Sequence, residues 1–346
     1  MTDAGQVRKA LADRVDNLIR VDGEMTLPGV PGMLEDYTDK CVTAFAEMGR
    51  RFNAEERGRL RAVLESALVQ AWEFSQRSSI TVAYRSHSAG PLDYRITVNL
   101  VTLEQAYEEW IARREPPLFG PDPDARVLAL AAELSEPASI LDIGAGTGRN
   151  ALALARHGHR VDAVEPSASF AAIMRADAQR ELLNVRVIQS DAFSSDVYLR
   201  SDYSLIVVSG VVSEFRTTVQ LRTLFQLAAG SLAEGGHLVL NTFLARDDYQ
   251  PDDAARQFAQ QSYACFFTHS ELAGAVAGLP LELVSDDSVH DYERVHLPDG
   301  CWPPTGWYVN WVTGKDVFGL ERESSPIDLR WLVYRKPATL PGTIEG

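Results

Sequence analysis

Cysteine is scarce in this 346-residue chain. Cys41, Cys265 and Cys301 are far apart, odd in number and form no CxxC pair, which argues against a disulfide framework and a cysteine-built zinc site. That usage points to a reducing compartment, and the expected location is cytoplasmic. No apolar run approaches the roughly 20 residues needed to cross a bilayer, and Met1-Thr2-Asp3 opens no basic-then-apolar leader, so no membrane partner is expected. Positive charge is also short. Lys and Arg number 33 against 48 Asp and Glu, a formal net charge of -15, and no Lys/Arg stripe offsets it locally. A polyanion would approach against a repulsive field, so nucleic acid is not an expected partner. His290 and His296, with Asp291 between them, lack a convincing third ligand, and no metal is expected.

With 45% hydrophobic and 23% charged residues the chain is of ordinary globular composition, long enough for two domains. Tyr37 to Phe52 and Ala54 to Gln76 read as amphipathic helices. The second carries Leu60, Val63, Leu64, Ala67, Leu68, Ala71 and Trp72 at helical spacing, behind an Asn53-x-x-Glu56 cap. Ser79 to Tyr84 and Asp93 to Leu100 alternate with period two around His87-Ser-Ala-Gly-Pro91, a hairpin signal, and Leu103 to Arg113 returns to helix. Between Glu115 and Pro123, four prolines and a glycine stop regular structure. A boundary there gives a mainly helical N-terminal domain with a hairpin, residues 1–120, and a second domain, residues 124–337.

The second domain alternates strand and helix from Ser139 to Thr242, the pattern of a mostly parallel sheet covered on both faces. Its first strand runs into Ile140-Leu-Asp-Ile-Gly-Ala-Gly-Thr-Gly-Arg-Asn150. Glycine lacks the Cβ that would collide with a ligand and accepts the positive φ of a sharp strand-to-helix turn. The dinucleotide fingerprint places its third glycine three residues after the second, where this chain has Arg149, which disfavours a nicotinamide-dependent oxidoreductase. Asp142, Glu165 and Asp191 stand at or just after the ends of three consecutive strands, and such ends converge on one crevice. As isolated residues they also read as helix caps or a solvated strand end.

This stretch, from about Asp124 to Pro337, resembles the class I S-adenosylmethionine-dependent methyltransferases. The resemblance implies a Rossmann-like, seven-stranded, mostly parallel sheet and S-adenosylmethionine as cofactor. It implies that Gly144 and Gly146 face the methionine part, Glu165 holds the ribose and Asp191 reads the adenine. Asp142, Ala145, Pro166, Ala192 and Ser209 complete the expected cofactor set. Val207 to Phe215 takes the family's position after the fourth strand, beside the reactive methyl, and Leu232 to Leu240 is similar to its turn before the fifth. Small-molecule enzymes of the tellurite-resistance type look nearest.

The expected reaction is methyl transfer to an O or N atom of a small molecule, with Glu214 as candidate base. An aromatic-rich insertion, about 290–322, offers His296, Trp307 and Tyr308 as a substrate wall, or else packs onto the sheet. Tyr107 and Trp110, ahead of the core, either close over the substrate or pack internally. A binding protein without transferase activity is the competing reading. The sequence leaves the acceptor and the oligomeric state open.

Overall fold

The computed structural model describes Arg8 and residues 22–85, 92–114 and 117–338, so the turn expected at His87–Pro91 lies outside the described residues. The chain forms two compact units. One comprises the described residues up to Arg113 together with Asp252–Gln261; the other runs from Arg114 to Pro251 and from Ser262 onward. The division thus falls ahead of the proline-rich segment, and a helix-length piece from deep in the second half groups with the first unit.

In the first unit, strand β1 (Asp22–Pro28) precedes helices α1 (Leu34–Glu47) and α2 (Ala54–Phe74), strands β2 (Ser79–Arg85) and β3 (Asp93–Asn99), and helix α3 (Leu103–Ala112). The expected hairpin is the β2–β3 pair of a three-stranded antiparallel sheet in the order β1-β2-β3. Strand β1 escapes sequence reading because Gly23 weakens its pattern. A Cβ there would lie 2.6 Å from the Tyr84 ring, so a larger residue would have to move that ring aside. Asn53 and Glu56 make the expected reciprocal cap of α2, each side chain accepting the other's amide at 2.9 Å. Leu60, Leu64, Ala67, Leu68 and Ala71 are buried along α2; Val63 is not, at 48% exposed.

The second unit contains, in chain order, α4 (Ala125–Ala131), β4 (Ser139–Ile143), α5 (Arg149–Arg156), β5 (Arg160–Val164), α6 (Ala168–Arg180), β6 (Val185–Ile188), β7 (Tyr203–Val208), α7 (Thr218–Ser231) and β8 (Leu232–Ala245). Helix α8 (Asp253–Gln261) is the piece that groups with the first unit: Gly32 donates its amide to Gln257 Oε1 at 2.8 Å, and the Arg77 guanidinium donates to the Gln260 and Gln261 carbonyls. The chain then returns through β9 (Phe266–Phe267), α9 (His269–Val276), β10 (Glu282–Ser288), α10 (Val289–His296), α11 (Tyr308–Val312), α12 (Lys315–Phe318) and β11 (Ile327–Arg335).

The main sheet runs β10-β11-β8-β7-β4-β5-β6. Strands β4 to β8 pair in parallel, and β11 is antiparallel to both its neighbours. It has eight strands rather than the expected seven, because the two-residue β9 pairs with Phe243 and Leu244 of β8. Central strands covered on both faces read as continuous apolar runs. All five residues of β4 are buried, Asp142 among them. The order reverses between β4 and β7, and at such a switch point the carboxyl ends of two adjacent parallel strands open a crevice.

Candidate active site

The turn from β4 to α5 passes through three positive-φ glycines, Gly144 at 69°, Gly146 at 57° and Gly148 at 91°. A Cβ on Gly144 would sit 2.3 Å from Val211 Cγ2, so the loop after β7 closes directly on this turn. On Gly146 it would lie 3.4 Å from Phe119 Cε2, which puts an aromatic edge on the other glycine. Gly148 serves packing: a Cβ would meet Met174 and Leu152 within 3 Å, so no larger residue lets α5 start so close to α6.

Glu165, directly after β5, is buried and accepts the Gly146 amide at 2.9 Å and the Ser167 amide at 2.8 Å. Burial raises its carboxyl above the usual range, against those two amides. It is thereby fixed beside the glycine turn, with Pro166 carrying the chain on to α6. Asp191 is exposed and folds its own turn, Oδ1 accepting the Phe193 amide at 2.9 Å, with Ala192 buried behind it. Asp142 is 2% exposed, and its Oδ2 has no hydrogen-bond partner among the described residues. Burial, reinforced by Asp124 and Glu165, pushes its carboxyl up to about 8.

Ser209 and Asp124 sit behind the turn. Ser209 Oγ donates to Asp124 Oδ2 at 2.7 Å, and Arg149 forms a 2.7 Å ion pair with Asp124. Burial alone would raise the Asp124 carboxyl; Arg149, Asn150 and Ser209 outweigh it and hold it below the usual carboxylate range. Nothing in the sequence gives Asp124 a role beyond opening the domain or singles out Phe119, Asn150 and Asn241, because nothing near them in the chain marks their partners.

Glu214 ends a short turn, Val212–Glu214, and is half-buried there, three residues beyond Val211. The aromatic insertion folds as α10 to α12. Tyr308 is buried, and its phenol is raised by burial and by the nearby Asp124 and Glu293 carboxylates. Trp307 lies between Tyr308 and Trp311, with ring centroids 6.1 and 5.8 Å apart. Trp311 stands edge-on to Phe243 of β8 and donates its indole N–H to the Tyr263 carbonyl at 2.8 Å. His296 stacks on Tyr292 at 4.1 Å and lines a cavity of about 430 Å³ with His157, His159, Glu136 and Asp122, which none of the turn glycines lines. Tyr107 and Trp110 are half-buried on α3, in the first unit. Glu293, absent from the expectations, accepts the Ala125 and Arg126 amides and the Trp331 indole N–H, and burial with Asp124 pushes it up to about 7.

The fold and this turn define a nucleoside-cofactor α/β domain. The family model described as a methyltransferase domain matches residues 113–285, half of the chain, and the chain belongs to the class I S-adenosylmethionine-dependent methyltransferases. Among solved structures it is similar to the [4+2]-cyclase SpnF, at 19% identity over 62% of this chain and 81% of that one, with a TM-score of 0.46. It is also similar to geranyl diphosphate C-methyltransferase from Streptomyces coelicolor A3(2), crystallised with Mg2+, geranyl diphosphate and S-adenosyl-L-homocysteine. That match has 16% identity over 61% of this chain and 78% of that one, and a TM-score of 0.47. No curated protein matches the sequence at a significant level.

The residues present fit S-adenosylmethionine, which is the cofactor of this class. A glycine turn without Cβ atoms admits close approach of a ligand to backbone. Beside it lie two buried carboxyls, Asp142 and Glu165, and Asp142 Oδ2 has no hydrogen-bond partner among the described residues; a ligand that brings hydrogen-bond donors suits that lining.

Proposed function

We propose that this methyltransferase acts on an oxygen or nitrogen atom of a small molecule. The observation that carries the reading is the loop after β7: Val211 abuts Gly144, and the same loop carries the half-buried Glu214 carboxylate three residues on. S-adenosylmethionine, when bound, supplies a methyl group made electrophilic by its sulfonium. Gly144, Ala145 and Gly146 would hold its methionine part, Glu165 with Pro166 the ribose, and Asp191 with Ala192 the adenine. Phe119, on the edge of Gly146, excludes water from that end of the turn. Glu214 would accept the proton that a hydroxyl or amine acceptor releases on methylation, the electron pair of the broken carbon–sulfur bond staying on sulfur.

The net charge of -15 supports a small acceptor over nucleic acid, and the three free cysteines support a cytoplasmic setting. The division at Arg113 supports a cofactor domain that includes the proline-rich segment. Trp307, Tyr308 and His296 stay as candidates for acceptor contact, Trp307 ahead of Tyr308 because it is half-buried where Tyr308 is buried. The test is transfer of labelled methyl from S-adenosylmethionine to panels of hydroxyl, amine and thiol acceptors. Glu214→Gln is expected to lower kcat by about 100-fold with KM little changed, the range of a lost general base. A fall under about threefold would remove Glu214 from proton transfer, and labelling confined to thiols would overturn the acceptor class.

A further inference from the structure

We infer that Asp124 is a positioning residue of the methyl-transfer site, holding the glycine-turn helix, the loop after β7 and the Phe119 segment in one arrangement. Its carboxylate is fully engaged. Oδ1 takes Arg149 at 2.7 Å, and Oδ2 takes Arg149 at 2.9 Å, Asn150 Nδ2 at 2.8 Å and Ser209 Oγ at 2.7 Å. Its amide donates to Asn150 Oδ1 at 2.9 Å, and Arg149 donates also to the Asp122 carbonyl at 3.0 Å. Ser209 Oγ in turn accepts from Asn241 Nδ2 at 3.3 Å, and Asn241 Oδ1 accepts the Gly210 amide at 2.7 Å.

The network is more than a buried ion pair because of what lies at its ends. Through Arg149 and Asn150 it grips the first turn of α5, one residue past the glycines. Through Ser209 and Gly210 it grips the loop whose next residue, Val211, meets Gly144. Through Asp122 and Asp124 it fixes the chain that carries Phe119 onto Gly146. The two residues that meet the glycine turn, Val211 and Phe119, are thus set by partners that converge on one carboxylate. Buried polar networks of this kind have few alternative arrangements once every donor is matched. Asp124 acts on the cofactor only through these neighbours.

The inference rests on the cofactor reading above, and the experiment separates the two. S-adenosylmethionine is titrated calorimetrically into wild type, Asp124→Asn, Ser209→Ala and the double variant, each checked by circular dichroism for a folded state at the titration temperature. No binding by wild type would sink the cofactor reading. Given wild-type binding, Asp124→Asn is expected to weaken affinity about tenfold, or about 1.4 kcal/mol, and the double variant to be no weaker than the worse single one. If Asp124→Asn does not fold, Arg149→Lys replaces it in the cycle, keeping the charge but losing the two-pronged contact, with about threefold weakening expected. A lowered melting temperature with wild-type affinity would overturn the inference and leave Asp124 a purely structural residue. Additive losses would overturn it too, because Ser209 would then act by direct contact alone.

Discussion

Asp142→Asn should stabilise the protein, and increasingly so as pH rises. The wild-type carboxyl is buried in β4, pushed up to about 8 by burial and by the Asp124 and Glu165 charges. An unfolded aspartate titrates near 3.9. Between those values the folded state keeps a proton that the unfolded chain releases, so stability falls as pH rises. Linkage puts the loss at about 3 kcal/mol by pH 6 and about 5 kcal/mol by pH 8, relative to acid conditions. Asparagine mimics the neutral acid, its Oδ1 still able to accept from the Ala151 amide that Asp142 engages, and it does not titrate. The stability difference between variant and wild type should therefore grow by about 2 kcal/mol from pH 6 to pH 8. Urea denaturation followed by tryptophan fluorescence reads this, since Trp302, Trp307, Trp311 and Trp331 all lie in the second unit. Parallel stability curves across that range would refute the reasoning, showing that Asp142 is already ionised at pH 6.

Glu165→Ala removes the acceptor of the Gly146 and Ser167 amides as well as the proposed ribose contact, and should cost about 1 to 3 kcal/mol in S-adenosylmethionine affinity by calorimetry, the range of one charged hydrogen bond. Unchanged affinity would displace the ribose assignment. Gly144→Ala forces an alanine to a φ of 69° and its Cβ to 2.3 Å from Val211 Cγ2; it should abolish measurable cofactor binding, and Val211→Ala in the same chain should restore part of it. Failure of that rescue would place the damage in backbone strain alone. Arg149→Met with Asp124→Leu should be less destabilising than Asp124→Leu, which leaves the guanidinium buried and unpaired at a cost of about 3 to 5 kcal/mol. Thermal unfolding reads the order of the two, and the reverse order would mean that Arg149 reaches water once released.

Much of the second unit's parallel sheet is legible because strands such as β4 and β7 are short, mainly apolar runs with a stop. Ser139–Ile143 opens where the alternation begins and ends just before Gly144. The glycine turn was legible because positive φ and close approach leave a residue-type signature. Strand β8 runs through the turn-forming Gly235 and Gly236, because paired backbone hydrogen bonds tie them to Lys336, a partner about a hundred residues distant. The two-residue β9 and the first-unit placement of α8 were likewise invisible, since each is decided by what the segment meets rather than by what it contains.

The same logic explains which half of the site the sequence could not show. Residues that touch a ligand through backbone are constrained locally, and a motif records them. Residues that set the motif's surroundings are constrained by distant partners: Asp124 lies 25 positions from Arg149, 26 from Asn150 and 85 from Ser209. Arg149 illustrates the difference. In the sequence it serves only to disfavour a dinucleotide fingerprint; in the structure its guanidinium pairs with Asp124 and donates to the Asp122 carbonyl. A residue inside a cofactor motif can therefore be fixed by the architecture behind the motif rather than by the ligand in front of it. In this chain that architecture is an ion pair whose other member bears no mark of its own.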